Sequence, residues 1–246
     1  MQISNRANAV KPSATVTINA KATQLKAQGV DVINLSVGEP DFDTPQSIKN
    51  AAIKAIEAGR TKYTAVEGIP ELKDAIIEKF KNENHLSYTR DQILVSCGAK
   101  QSFYNLMQAV LNDGDEVIIP APYWVSYPAM VTLAGGVNII VKTGVESRFK
   151  ITPAQLEEAI TPKTRILILN SPSNPTGMAY TKEELIALSQ VLLRHPHVLI
   201  ASDDMYEHIL WGINPFVNIV NVCPELIDRT IVCNGVSKSY AMTGWR

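Results

Sequence analysis

The sequence contains few cysteines, three among 246 residues. Cys97, Cys223 and Cys233 form no C-x-x-C pair, and their number is odd. A structural zinc site or a disulfide framework needs paired and more closely spaced cysteines, so both kinds of site are excluded. We therefore expect all three to be reduced thiols in or near the core of a cytoplasmic protein.

The sequence also lacks an excess of charge of either sign and any long apolar run. Lys and Arg total 23 and Asp and Glu total 24, which gives a formal net charge of −1. This balance favours neither a nucleic acid nor a membrane surface as a partner. No apolar run approaches the roughly 20 residues that span a bilayer, and the first residues contain no apolar core of a secretory signal. These absences again predict a cytoplasmic location.

What the sequence does contain is an alternation of short β-branched runs with helical segments. The runs are apolar on both faces, which is typical of parallel strands covered by helices on both sides. We therefore predict an α/β fold with a mostly parallel sheet. The predicted strands are Gln92–Ser96, Glu116–Pro120, Val137–Lys142, Arg165–Asn170, His197–Ser202 and Thr230–Asn234.

Capping residues and apolar spacing predict the helices. Thr44 is expected to cap a helix that has Pro45 at its first position and ends near Gly59. Thr181 and Glu184 form a capping box before the apolar run that follows them. Further helices are expected at about 14–28, 70–84, 99–111 and 122–134.

The pattern suggests two structural units. Residues 1–40 are predicted to form an N-terminal arm and part of a smaller domain, and residues 41–246 to form the larger sheet domain. The sequence stops at Trp245-Arg246, where a further apolar strand would be expected. We therefore expect the sheet domain to be incomplete at its C-terminal end.

Three polar segments follow predicted strands, where open α/β sheets bind their ligands. They contain Lys238 within Gly235–Arg246, the Asn-Pro-Thr-Gly turn within Asn170–Gly177, and the acids Asp203 and Asp204. Each segment alone has an ordinary explanation, namely a solvated lysine, good turn chemistry, or acids that cap a helix. Because successive strand residues point to opposite faces, only one of the two acids is expected to face a pocket.

Together and in this order, the three segments resemble the class I and II aminotransferases of the fold type I superfamily. Four further motifs resemble the bacterial aspartate aminotransferase branch of that family. The resemblance covers essentially the whole chain, and its motifs are specific. The four motifs are Asn34–Phe42, Lys62–Thr64, Gly98–Gln101 and Pro122–Pro128.

The resemblance implies a pyridoxal 5′-phosphate site with three catalytic residues, Lys238, Asp203 and Tyr206. Lys238 would form the internal aldimine and later act as a general base. Asp203, three residues before the tyrosine as in the family motif, would pair with the pyridine nitrogen. Tyr206 and Asn174 would donate hydrogen bonds to the phenolate oxygen of the ring.

Other residues would hold the phosphate, the ring face and the substrate. Trp124 is expected to stack on the pyridine ring, with Tyr123 as the alternative. Tyr63 would reach the phosphate of a neighbouring subunit, which implies a homodimer. Gly38 lies in the loop expected to close over the substrate carboxylate, so the substrate residues are Gly38, Trp124 and Asn174. The expected phosphate ligands are Gly98, Ala99, Lys100 and Arg246. Ser237 is expected to be a further cofactor contact.

Two positions depart from the family pattern. Gly235 stands where some members have a serine that contacts the phosphate, so one hydrogen-bond donor is missing. Asp204 stands where a glutamate is usual, and we expect this change to have a mild effect.

The expected reaction is transamination between an L-amino acid, aspartate or a related one, and a 2-oxo acid such as 2-oxoglutarate. Aromatic amino acids or prephenate are alternative substrates, and an inactive fragment or a non-catalytic ligand-binding domain is an alternative function. A nicotinamide dehydrogenase is disfavoured because no G-x-G-x-x-G motif follows a predicted strand. A Schiff-base aldolase would use a lysine without this set of phosphate and ring ligands.

Overall fold

The computed structural model describes residues 2–212 and 215–246 of the chain. Within these ranges a five-stranded sheet has the order β2-β1-β3-β4-β5, and every neighbouring pair is parallel. This confirms the predicted α/β class with a parallel sheet. The strands are β1 Glu116–Ala121, β2 Val137–Lys142, β3 Thr164–Asn170, β4 Leu199–Asp203 and β5 Thr230–Cys233.

Helices follow or precede the strands throughout the described ranges. Thr181 and Glu184 form the expected capping box, since the Glu184 N–H donates to Thr181 Oγ1 at 3.2 Å and the Thr181 N–H donates to Glu184 Oε2 at 2.8 Å. The helices are α1 Asn5–Ala9, α2 Ala14–Ala27, α3 Gln46–Glu57, α4 Pro70–Glu83, α5 Ala99–Val110, α6 Tyr127–Leu133, α7 Pro153–Ala159, α8 Lys182–Arg194, α9 Ile219–Val222 and α10 Val236–Ser239.

The sheet is covered by apolar side chains on both faces. Alternate residues of β3 belong to different clusters, because successive strand residues point to opposite sides. Ile166 and Ile168 pack with α5 and α6, whereas Leu167 and Leu169 pack with α8 and α9. This three-layer arrangement is the physical reason that the β3 sequence is apolar at consecutive positions.

The predicted strand Gln92–Ser96 is wrong for the described structure. A 3-10 turn occupies Arg90–Gln92, and the four residues that follow belong to no strand of the sheet. The Val95 N–H donates to Glu67 O at 3.0 Å, which is a contact with a loop. An apolar β-branched run becomes a strand only where a neighbouring strand offers a ladder of partners, and here a single backbone bond replaces that ladder.

Two helix starts and one cysteine also differ from the expectation. Thr44 does not cap α3, because Pro45 occupies the cap position, and Thr44 Oγ1 instead donates to Ala241 O at 2.5 Å and accepts from Trp245 Nε1 at 2.9 Å. The helix predicted at about 122–134 begins only at Tyr127. Cys223 and Cys233 are buried as expected, but Cys97 is exposed.

The N-terminal residues form α1 and α2, and α1 packs against α6. The division of the chain at residue 40 stays a prediction. In the described part of the chain, no helix combines the length and the apolar character that crossing a membrane requires.

Adjacent leucines of α8 test the assignment of the core. Leu192 is 0% exposed and Leu193 is 40% exposed. We expect Leu192→Ala to lower the free energy of unfolding by about 2–5 kcal/mol, because it leaves a cavity beneath the sheet. The matched change Leu193→Ala should cost less than about 1 kcal/mol. Urea unfolding followed by circular dichroism measures both values, and equal losses would contradict the assignment.

Candidate active site

The carboxyl ends of β3, β4 and β5 lie side by side. Asn170 is paired in register with Asp203, and Asp203 with Cys233. The residues that follow these three positions are therefore delivered to the same edge of the sheet. Loops at this edge of open parallel sheets are the usual location of ligands.

Asp203 is a buried acid at this edge, and its residue is 5% exposed. The Tyr127 hydroxyl donates to its Oδ2, and the Met205 N–H donates to its Oδ1 at 3.2 Å. Burial raises the pKa of Asp203 to about 6, although the hydrogen bonds from Tyr127 and Met205 oppose that rise. The carboxylate therefore carries its charge at neutral pH in a site that offers little water.

Asp204 contacts a different set of groups from its neighbour. Its side chain accepts hydrogen bonds from Ser202 Oγ at 2.7 Å and from Asn218 Nδ2 at 2.6 Å. Burial raises the pKa of Asp204 to about 7. Because Asn218 caps α9, this acid ties the end of β4 to a helix rather than to Tyr127 and the residues around it.

Tyr206 and Asn174 come from neighbouring strand ends. The pKa of Tyr206 is raised by burial and by the charge of Asp203, while a hydrogen bond from Asn174 lowers it. Asn170 holds both segments, since its Oδ1 accepts from the Asn174 N–H at 2.8 Å and its Nδ2 donates to Asp203 O at 3.0 Å. The Tyr206 hydroxyl and the Asn174 amide, both predicted to be ligands, are thus held near the buried Asp203.

Lys238 lies in the short helix α10, directly after β5. Its Nζ donates to Gly38 O at 2.6 Å, which joins two segments 200 positions apart in the sequence. Desolvation lowers the pKa of Lys238, Glu39 raises it and Arg246 lowers it, with a net decrease. A larger fraction of this amine is therefore uncharged near neutral pH than for a solvated lysine.

Gly98, Ala99, Lys100 and Arg246 meet at the N-terminus of α5. Gly98 has φ of 85° and precedes the first helical residue. A Cβ at position 98 would collide with the Arg246 side chain, so the crossing requires glycine. The helix dipole, the lysine and the guanidinium together create a positive environment suited to an anion.

Trp124 lies beside this positive end. Its ring centroid is 5.3 Å from Lys100 Nζ and 5.3 Å from the Tyr127 ring, which it meets edge to face. Tyr123 instead lines a small cavity together with Asn170 and Tyr180.

Two predicted site residues have less definite positions. Ser237 is half-buried in α10, and its carbonyl oxygen accepts from the Met242 N–H at 3.0 Å. Tyr63 is fully exposed, and none of the hydrogen bonds found among the described residues involves its hydroxyl. The chain by itself does not bring Tyr63 into contact with the other predicted residues.

Comparison with known proteins agrees with this geometry. The family model described as aminotransferase class I and II matches residues 30–246. The chain belongs to this family. An aspartate/prephenate aminotransferase of Nitrosomonas europaea is 60% identical over the whole chain, and an aspartate aminotransferase of Geobacillus stearothermophilus is 54% identical over the same span.

Solved aminotransferase structures match the whole chain as well. The aspartate aminotransferase of Rhizobium meliloti superposes with a TM-score of 0.97 at 50% identity, and that of Thermus thermophilus with maleate superposes with 0.95 at 49% identity. The chain spans 62% of each of the two curated relatives, and 62% and 63% of these two structures. The fold of the matched part is therefore that of these enzymes.

Sequence patterns do not identify two contributors to the site, Tyr127 and Asn170. Tyr127 belongs to a family motif and Asn170 ends a predicted strand, but neither position signals a contact with Asp203. Tyr127 and Asp203 are 76 positions apart and lie on different elements, so no spacing rule links them. A partner for a buried acid could have been anticipated in general, because buried carboxylates are nearly always hydrogen-bonded.

The raised pKa of Asp203 predicts that this acid destabilises the fold at neutral pH. The pKa is about 6 in the folded chain against an ordinary value of 3.8, so the stability that the protonated form provides below pH 3.8 is lost as the pH rises through 6. Two pKa units correspond to about 3 kcal/mol. We expect Asp203→Asn, without added cofactor, to raise the free energy of unfolding at pH 7 by about 1–3 kcal/mol.

Urea titrations at pH 4 and pH 7 measure this change. The amide oxygen can accept from the Met205 N–H, and the amide nitrogen can donate to the Tyr127 hydroxyl oxygen in place of the present bond from Tyr127. The gain should therefore be present at pH 7 and small at pH 4. The exposed acid Asp228 provides the control, and Asp228→Asn should change neither value appreciably. A lower stability of Asp203→Asn at pH 7 would contradict the prediction.

Proposed function

We propose that this chain forms the pyridoxal-phosphate site of an aminotransferase, with Lys238 as the reactive amine. The observation that carries the proposal is the juxtaposition of three groups at adjacent strand ends. These are the buried acid Asp203, the side chains of Tyr206 and Asn174, and the partly desolvated amine of Lys238. Family membership supports the same reading.

The residues present fit pyridoxal phosphate part by part. A buried acid suits a protonated pyridine nitrogen, and a tyrosine with an asparagine suits the phenolate oxygen. The N-terminus of α5 with Arg246 suits the phosphate, because it combines a helix dipole with a planar cation. Gly98, which has no room for a Cβ beside Arg246, supports this assignment. When bound, the cofactor supplies an electron sink that stabilises negative charge at the amino-acid Cα.

Asp203 and Lys238 have complementary electrostatic tasks. Asp203 is ionised above its pKa of about 6, and a ring cation beside it would favour that ionised form further. Lys238 loses its proton more readily than a solvated lysine, so its Nζ can act as a nucleophile and can then accept a proton from substrate. The Gly38 carbonyl, which accepts from this Nζ, holds the amine in position.

The relatives indicate the substrate class. Proteins named aspartate/prephenate aminotransferase and aspartate aminotransferase are 52–62% identical to this chain, and the Thermus thermophilus structure contains the dicarboxylate maleate. We therefore propose that aspartate and a 2-oxo acid such as 2-oxoglutarate are the substrates. Gly38, Trp124 and Asn174 are the proposed substrate contacts. Prephenate is the second candidate substrate, because the names of the relatives that are 60% and 62% identical to this chain include it.

The proposed assembly is a homodimer in the cytoplasm. The fully exposed Tyr63 supports this, because a tyrosine that lies outside its own site is available to the phosphate of a neighbouring subunit. Tyrosine is also among the residues that are enriched at protein interfaces.

Replacing the reactive amine tests the central assignment. Addition of pyridoxal phosphate to the purified chain should produce a visible absorption band, and Lys238→Ala should abolish it, because the partly desolvated Lys238 amine is the proposed point of attachment. The exposed Lys163 provides a matched control, and Lys163→Ala should leave the band unchanged. A band of equal intensity in Lys238→Ala would refute the assignment.

Substrate choice is tested with the cofactor-loaded chain. Aspartate with 2-oxoglutarate should yield oxaloacetate and glutamate, whereas asparagine, which lacks the second carboxylate, should react at least about tenfold more slowly. Product formation is followed by chromatography, with prephenate as an alternative acceptor. A chain that binds the cofactor but converts neither acceptor would instead support the non-catalytic ligand-binding alternative.

A further inference from the structure

A second buried acid, Glu207, lies immediately after Tyr206, and its side chain is 2% exposed. Its carboxylate forms an ion pair with Lys79 of α4 and accepts from Asn84 Nδ2 at 2.5 Å and Asn234 Nδ2 at 2.7 Å. Nothing in the proposed reaction uses this carboxylate. A buried charge with so many partners nevertheless requires an explanation, because one that loses its partners is strongly destabilising.

The partners of Glu207 belong to the segments that carry the proposed catalytic groups. The Glu207 N–H donates to Asp204 O at 3.0 Å, which closes the turn containing Tyr206. Asn234 directly follows β5, and its Oδ1 accepts from the Gly235 N–H at 2.6 Å. Gly235 is the N-cap of α10, the short helix that contains Lys238. One carboxylate therefore bridges the turn of Tyr206 and the helix of Lys238.

The bridge is anchored to a third element. Lys79 and Asn84 lie at the end of α4, and Lys79 Nζ also donates to Asn84 Oδ1 at 2.6 Å. The Asn84 carbonyl in turn accepts from Asn221 Nδ2 at 2.7 Å. Burial alone raises the pKa of Glu207, but the bonds from Lys79, Asn84 and Asn234 bring it below its ordinary value. The acid is thus ionised at neutral pH, and the bridge stays intact there.

A metal site is the competing explanation for this region. One ligand atom each of Glu83, Glu207 and His208 lie within 4.8 Å of one another. However, the Lys79 ammonium already occupies the space beside the Glu207 carboxylate and contacts Glu83 at 3.7 Å. A divalent cation would face that fixed positive charge at short range, so the contacts favour a bridge over a metal site.

We propose that Glu207 is a positioning residue that fixes the Tyr206 hydroxyl relative to the Lys238 amine through Asn234. This inference rests on the proposed cofactor site, because it concerns the distance between two of that site's ligands. A phenol that donates to the cofactor lowers the pH at which the amine linkage gains a proton, so its position is read directly in the absorption spectrum.

The test uses Glu207→Gln in the 246-residue chain with added pyridoxal phosphate. The uncharged amide cannot form an ion pair with Lys79. Its NH2 group also faces Asn84 Nδ2 and Asn234 Nδ2, which are themselves donors. We expect cofactor affinity, measured by absorbance titration, to fall about three- to tenfold. The pH midpoint of the visible band should move by about half a unit or more.

Two further variants separate positioning from a general loss of structure. Glu83→Gln is the matched control, because Glu83 contacts the same Lys79 and His208 but not Asn234. It should leave the affinity and the midpoint unchanged. Asn234→Ala removes the hydrogen bond to Glu207 but leaves the ion pair between Glu207 and Lys79 intact. It should therefore shift the pH midpoint of the visible band in the same direction as Glu207→Gln does. The double variant Glu207→Gln/Asn234→Ala should shift it no further than the larger single change.

Thermal unfolding by circular dichroism accompanies each variant, and Asn234→Ala provides the test if Glu207→Gln does not fold. The inference is overturned if Glu207→Gln or Asn234→Ala retains the parent midpoint and affinity, or if their shifts simply add. A parent chain that shows no visible band would overturn the proposed function, and this inference with it. A normal parent band with unshifted variants overturns the inference alone.

Discussion

The parallel, in-register pairing of β3, β4 and β5 is the constraint on which the site depends. Because Asn170, Asp203 and Cys233 are paired across the sheet, the chain leaves all three strands at one level. The segments that follow have only a few residues in which to diverge. The backbone hydrogen bonds of the sheet therefore bring the segments that carry the acid, the tyrosine, the asparagine and the lysine to one edge, before any side chain contributes.

Burial shifts the pKa values of Asp203 and Lys238, and the same shifts lower the stability of the folded chain. The apolar layers that stabilise the sheet remove water from Asp203 and raise its pKa, and partial burial of Lys238 lowers the pKa of its amine. Both shifts oppose the charged form and therefore reduce the stability of the folded chain at neutral pH. The hydrogen bonds from Tyr127 and Met205 offset part of that cost for Asp203, and the network around Glu207 restricts the segments that carry Tyr206 and Lys238.

Much of the fold could be anticipated from local patterns. Five of the six apolar runs become strands of the sheet within two residues of their expected bounds, and the capping box at Thr181 starts α8 as expected. The run Gln92–Ser96 failed because strand formation depends on a partner, which no local pattern encodes. Thr44 failed for a similar reason, since its hydroxyl bonds to Ala241 and Trp245 rather than to its own helix.

The sequence alone determined the α/β class, the family resemblance and the identity of the main polar groups, because these depend on periodicity and on short motifs. Only the tertiary structure decided which groups touch. The contacts of Tyr127 with Asp203, Gly38 with Lys238, and Glu207 with Asn234 join positions 76, 200 and 27 residues apart. Such contacts arise from the packing of whole elements, and residue order does not specify them.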